Sequence, residues 1–379
     1  MQSTPGSPLL SHIAALDGLR GLAILSVMFF HATLSRANAP RPSGGFLGVD
    51  VFFVLSGFLI TALLLKEWDQ NGSIALRSFY ARRALRLLPA LFVLMAVILL
   101  VPGVFYSSQR PWWDAMVAAA YATNWVRAFG GDIGFFGHTW SLTIEEQFYV
   151  IWPLLLVGLL RLRVRRRVIL LLVLVAIAVP TVLRVDLWEG PMSVKRLYYG
   201  LDTRFDSLLL GCLVAFLASW NVIPRSERAL KMIRLAAAAA AVVLVVLIAN
   251  ATEESQLTYF GLGAIACASV AVLLVHLIYC PSRLSDLILA NRPMVWVGRI
   301  SYGLYLWHDP IFFGMLNPTR MGKVGVTGVG LMAVRFVAAF VAATVSFYLL
   351  ERPLLRIKDH LARPDAGPAG RSALVEGPR

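Results

Sequence analysis

Charge is scarce in this sequence. Only 15% of its 379 residues are Asp, Glu, Lys or Arg, against about a quarter in ordinary soluble domains. Acids are the scarcer sign: 21 Asp and Glu face 35 Lys and Arg, for a net charge of +14. With 58% hydrophobic residues and a mean hydropathy of +0.72, a soluble chain of this length could not hide its apolar surface. Many segments must therefore face lipid. Cysteine is equally sparse. Cys212, Cys267 and Cys280 lie in or beside apolar runs, with neither a paired framework nor metal-ligand spacing. That pattern excludes a disulfide scaffold and gives no reason to expect a metal. There is no internal repeat and no polar stretch long enough for an appended soluble domain. A cleaved leader is not expected, because the first apolar run is followed by more and carries ionisable residues.

The basic excess would point to nucleic acid in a soluble protein. Here Lys and Arg sit in short clusters between apolar runs, where the positive-inside rule puts them. The excess therefore reads as topology and contact with membrane lipid, and nucleic acid is not expected as a partner. Ten runs are long enough to span at about 1.5 Å per residue: 14–34, 47–66, 87–106, 142–160, 167–184, 203–220, 232–250, 257–279, 296–316 and 328–350. With the N-terminus in the cytoplasm, 24 of the 35 basic residues fall inside. Counting 111–137 as another span would put the Arg161–Arg167 cluster outside. That stretch, with Trp112, Trp113, Trp125, Gly130 and Gly131, reads as a loop holding an interfacial or re-entrant helix. The expected fold is an all-α polytopic membrane protein of about ten transmembrane helices, both termini cytoplasmic. Residues 1–13 form an N-terminal tail, 14–353 the membrane domain, and 354–379 a disordered C-terminal tail.

Ionisable groups inside spans are costly unless paired or facing a wet cavity, which makes them functional candidates. Arg20 and His31 are eleven residues apart, about 20° from three full turns and roughly 16 Å along the axis. Both point to one face. Arg83 and Arg86 share a face one turn apart, and paired guanidinium groups suit phosphates. Ser141, Glu145 and Tyr149 form a stripe with Glu146 beside it, and two adjacent carboxylates at a membrane mouth have no cheap structural excuse. Asp202, Arg204 and Asp206 open the sixth run and could neutralise one another. Tyr302, Tyr305, Trp307 and His308 suggest a polar face in the ninth. His276 reads as structural, and Arg335 needs a partner that Glu351 is too far away to be.

Taken together the strings resemble the acyltransferase-3 family of membrane O-acyltransferases. The matches are Leu16-Asp17-Gly18-Leu19-Arg20 with His31; Gly48-Val49-Asp50 through Leu59-Ile60; Arg83 and Arg86 with Pro89; Trp140-Ser141-Leu142 through Glu145-Glu146-Gln147-Phe148-Tyr149; Asp202 to Asp206 followed by Gly211; Ser301-Tyr302 through Trp307-His308 and Pro310; and Glu351-Arg352-Pro353. Seven motifs in family order are far more specific than any one.

The resemblance implies transfer of an acyl group, usually acetyl from acetyl-CoA or another acyl-CoA, to a hydroxyl. The acceptor would be a carbohydrate or a sugar-bearing small molecule, and the protein would be integral to the cytoplasmic (inner) membrane. Some members carry an extra extracytoplasmic hydrolase-like domain. This chain ends soon after the tenth run, so transfer is expected to finish within the membrane domain. In this reading Arg20, Arg83 and Arg86 hold the donor's phosphates. His31 is the general base or the acyl acceptor, and Glu145 orients or charge-balances it. Asp50, Ser141, Glu146, Tyr149, Asp202, Arg204, Tyr302 and His308 bind substrate or support the site. The rival reading is a transporter of a polar solute using the same buried charges, which neither an inverted repeat nor matching broken helices supports.

Overall fold

A computed structural model describes residues 13–34, 43–105 and 110–354. The expected tails, 1–13 and 354–379, lie outside the described residues except for Ile13 and Leu354. Within them the chain is all helical, as the hydropathy requires: in lipid each backbone donor and acceptor must be satisfied inside its own segment.

The elements that position the site are α1 (Ala14–Thr33), α2 (Gly48–Asn71), α3 (Leu76–Leu100), α4 (Pro111–Ala119), α5 (Thr123–Ala128), α6 (Trp140–Arg161), α7 (Arg166–Asp186) and α8 (Val194–Tyr199). They are followed by α9 (Phe205–Ser219), α10 (Glu227–Asn250), α11 (Gly263–Tyr279), α12 (Arg283–Leu289), α13 (Arg292–Arg299), α14 (Ser301–Asp309) and α15 (Gly328–Ser346). Eight segments are long and apolar enough to cross a bilayer, at 14–33, 45–71, 76–100, 134–161, 166–186, 227–250, 258–279 and 328–354.

Two of the ten expected spans depart from that standard. The run at 203–220 forms a helix of 15 residues, about 22 Å long against a hydrocarbon core of about 30 Å. Its polar start, Asp202 to Arg204, stays outside the helix and is spent on ion pairs. The run at 296–316 turns at Ile300 between α13 and α14 and ends in a π-helical turn, Pro310–Met315. Pro310 has no N–H to give the helical ladder, and a wider turn accommodates it. Residues 111–137 hold α4, α5 and a short 3₁₀ turn, Gly134–Thr139. None of these is long enough to cross. They are tied down from α6: the Gln147 amide donates to the Tyr121 carbonyl at 2.8 Å and to Asn124 at 3.1 Å.

Helices α1, α2, α9 and α11 supply the interior, while α7, α10 and α15 turn most of their apolar surface outward. The α2–α9 contact depends on glycine. A Cβ on Gly57 would collide with the Leu208 carbonyl, and one on Gly211 with the Val54 carbonyl. Lipid gives helices no hydrophobic reason to associate, so close backbone approach through small residues supplies the contact.

Candidate active site

Two polar cavities lie end to end along α1. The first, about 60 Å³, is lined by Arg20, Ser56, Ser141, Glu145, Tyr302 and Tyr305 among others. The second, about 240 Å³, holds His31, Arg127, His138, Tyr199, Glu253 and Asp309 in its wall. Tyr305 and Val49 line both. Tyr305 closes the boundary: its hydroxyl lies 2.6 Å from Ser141 Oγ and donates to the His138 carbonyl at 2.6 Å. Arg20 and His31 thus face the same side of α1, as their spacing predicts, but border different chambers.

His31 meets His308. Its Nδ1 lies 2.9 Å from His308 Nε2, with the rings stacked 5.0 Å apart. The proton positions follow from what His308 does with its other nitrogen. Nδ1 of His308 sits 3.0 Å from the Leu304 carbonyl and 2.8 Å from the Tyr305 carbonyl. Carbonyls only accept, so this Nδ1 carries a proton. In the neutral ring Nε2 then accepts, and His31 must donate from Nδ1. His31 is left with its lone pair on Nε2, in the ring that lines the larger chamber. His308 is completely buried, so the carbonyls that hold it are shielded from water.

This arrangement corrects one expectation. Glu145 does not touch His31. It accepts from Ser56 Oγ at 2.8 Å and lies in the small chamber with Arg20. The ring nitrogen that a carboxylate might have held is held by a second imidazole 277 residues away in sequence.

The arginine expectation is also revised. Arg83 is already engaged: its guanidinium forms a pair with Glu146 at 2.5 Å and lies 3.3 Å from the centre of the Tyr149 ring. Glu146 and Tyr149 thus hold Arg83, and all three line a further cavity of about 210 Å³. Arg86 has no hydrogen-bonded clamp among the described residues; Arg20 and Arg83 repel it, while Tyr149 and Glu351 act in the opposite sense. The Nε of Arg20 is buried without a hydrogen-bond partner. Two cations converging on one region, one with an orphaned donor, are an arrangement that an anion completes.

The Asp202–Asp206 segment does not neutralise itself. Asp202 pairs with Arg196 at 2.5 Å, Arg204 with Asp50 at 3.0 Å, and Asp206 with Arg184 at 2.8 Å. Asp50 also accepts from Ser207 at 3.2 Å. None of Asp50, Asp202 or Arg204 lines either chamber. They join α2, α7, α8 and α9, and removing one partner of a buried pair such as Asp50–Arg204 typically costs about 3–5 kcal/mol. Tyr302 lines the small chamber and donates to the Leu87 carbonyl at 2.7 Å. Arg335 finds its partners in the end of the broken helix, donating to the Leu316 and Phe312 carbonyls at 3.0 and 2.7 Å. His276 contacts the Cys280 thiol at 3.6 Å. All three cysteines are buried free thiols.

Several residues of the larger chamber carried no signal in sequence. Arg127 stacks on Tyr199 at 4.2 Å, and His138 has a buried Nε2 with no partner. Glu253, outside the spans, has its carboxyl pushed above the ordinary range by burial, partly offset by a hydrogen bond from Tyr198 and by the Arg127 charge. Only the polarity of 111–137 hinted at Arg127. Glu253 looked like an ordinary loop acid.

Ligand atoms of His31, His308 and Asp309 lie within 4.8 Å of one another, which is metal-site spacing. The facing imidazole nitrogens are already bonded to each other, however, and His308 spends its second nitrogen on carbonyls. That commitment suits proton handling better than metal ligation.

His31, held by the buried His308, opens on the larger of two polar chambers in a helical membrane domain. The chain belongs to the acyltransferase domain family, whose model matches residues 13–352. It is 33% identical over 357 residues to the peptidoglycan O-acetyltransferase OatA of Listeria monocytogenes, covering 90% of this chain and 56% of that one. To the putative peptidoglycan O-acetyltransferase YrhL of Bacillus subtilis it is 32% identical over 362 residues, covering 90% and 55%. To the O-acetyltransferase OatA of Staphylococcus aureus it is 31% identical over 359 residues, covering 90% and 57%. The chain thus spans little more than half the length of these relatives. No solved structure matches it.

Proposed function

We propose that this protein is a membrane O-acyltransferase that moves an acyl group, acetyl first among them, from acyl-CoA to a hydroxyl of a carbohydrate. The relatives' names point to a peptidoglycan-type glycan as the acceptor to test first. The observation that carries the reading is the His31–His308 pair: His308 fixes His31 in the tautomer whose free Nε2 can act as a general base.

In this mechanism the donor enters the small chamber, its phosphates against Arg20 and Arg86, with Arg83 held in place by Glu146. Ten crossings with both termini in the cytoplasm put that chamber's mouth on the side where acyl-CoA is found. The thioester passes Tyr305 to meet an acceptor hydroxyl in the larger chamber, against Arg127, Tyr199 and Glu253. Nε2 of His31 takes the hydroxyl proton as the oxygen attacks the thioester carbonyl. The tetrahedral intermediate collapses, the C–S bond breaks, and the departing thiolate recovers the proton from His31. Nδ1 keeps its own proton throughout, and its bond to His308 strengthens as His31 becomes charged.

The test is incubation of purified protein with radiolabelled acetyl-CoA and candidate glycans, peptidoglycan fragments included. A glycan that gains the mass of one acetyl group supports the assignment. Label on no glycan, with acetyl-CoA left intact, refutes it.

A further inference from the structure

One cavity in the protein's wall exceeds either chamber of the active site. It is a groove of about 390 Å³ between α1, α10 and α12. Leu22 and Ser26 form one side, Ala241, Val245 and Ile248 the other, and Ile288 lies near one end. Its walls are almost wholly aliphatic, and Leu22, Val245 and Ile288 are exposed. Apart from Ser26, the polar residues gather at one end: Arg234, His276, Ser282 and Ser285.

The dimensions select the occupant. From Arg234 to Ile248 the groove follows fourteen residues of α10, about 21 Å. That exceeds half of a hydrocarbon core of about 30 Å, so the groove reaches from one interface past the midplane. Spreading 390 Å³ over that length leaves a cross-section of roughly 20 Å², about a quarter of what a helix 10 Å across would fill. A single extended alkyl chain matches that width.

The charge at the open end selects the headgroup. Arg225, Arg228, Lys231 and Arg234 crowd the start of α10, and Arg283 opens α12. The Arg234 charge acts on the Cys280 thiol beside the groove. Among the described residues no carboxylate lies within ion-pair distance of it. A phosphate at the interface would supply the missing charge while its chain runs down the aliphatic wall.

We infer that this groove is a binding site for an anionic phospholipid, with the phosphate at Arg234 and one acyl chain between α1 and α10. The lipid braces the side of α1 away from the active site, and so the helix that carries Arg20 and His31. The inference stands apart from the acyl-transfer reading, since it needs no donor or acceptor.

The test is native mass spectrometry of the purified protein released from bilayers of equal phosphatidylglycerol and phosphatidylcholine. Wild type should retain phosphatidylglycerol in preference. Arg234→Ala should cut that preference about fivefold, the worth of one cation at a membrane surface. Ala241→Trp fills the groove while leaving each charge in place, and should remove the retained lipid. Retention that survives Ala241→Trp would place the lipid elsewhere, and no preference in wild type would overturn the site outright. Phosphatidylglycerol with a photoreactive group on its acyl chain gives a readout that needs no variant. Adducts should concentrate on 19–26 and 237–248, and labelling spread evenly over the exposed face of α7 would refute the groove.

Discussion

Replacing His308 by phenylalanine tests the central geometry most directly. The ring keeps its shape in a fully buried place, but the acceptor for His31 Nδ1 disappears. The Leu304 and Tyr305 carbonyls lie one helical turn back and keep their backbone partners in α14, so the change orphans only His31. A buried donor left unmade costs about 1–3 kcal/mol, which at about 1.4 kcal/mol per tenfold is roughly a 5- to 150-fold loss in rate. That loss should fall on kcat, because the bond strengthens when His31 takes up the acceptor's proton. KM for the donor should hold, since Arg20 borders the other chamber. His308→Gln offers an amide oxygen near the lost nitrogen and should recover part of the rate, whereas His31→Ala should lose about 10²–10⁴-fold. The assay is steady-state transfer of labelled acetyl to the accepting glycan, with folding checked by elution from size exclusion. A folded His308→Phe protein with wild-type kcat, or one whose defect appears only in donor KM, would refute the tautomer argument.

Arg86→Ala should weaken binding of CoA measured by calorimetry, and Arg86→Lys should recover it only in part because an ammonium cannot make a bidentate phosphate contact; unchanged affinity in both would leave Arg86 a topology anchor. Tyr305→Phe removes the hydroxyl that joins Ser141 to the His138 carbonyl, and should raise hydrolysis of acetyl-CoA without acceptor relative to transfer; an unchanged ratio would show that the boundary is no barrier. The raised Glu253 carboxyl stabilises the fold fully below its ordinary value of about 4.5, and that contribution is lost as pH rises through the raised folded-state value. Glu253→Gln should therefore flatten this decline in melting temperature, followed by intrinsic fluorescence in detergent, and an identical pH profile would contradict the burial argument. Reporter fusions after Arg86, Arg167 and Arg234 should be cytoplasmic and those near Gly131 and Glu253 external; an external reporter at Arg167 would overturn the ten-crossing topology.

The sequence alone determined that the chain lives in a membrane, that it is helical, and which residues are too costly to bury without purpose. Those conclusions rest on local quantities. Hydropathy over about 20 residues sets a span, and the 3.6-residue period sets which side chains share a face. So Arg20 and His31 fall on one side of α1, and Arg83 and Arg86 one turn apart on α3. Periodicity does not say which face of which other helix will be met. Lipid-facing and protein-facing surfaces here are both apolar, so the packing is decided by close backbone contacts such as Gly57 against Leu208 and by ion pairs such as Asp50 with Arg204. Only the tertiary structure could pair His31 with His308 instead of Glu145, and give Arg83 to Glu146. It also separated Asp202, Arg204 and Asp206 among three partners on other elements. Glu253 and Arg127 became site candidates in the same way: nothing in their neighbours marks them, and what does is a chamber wall assembled from segments far apart in the chain.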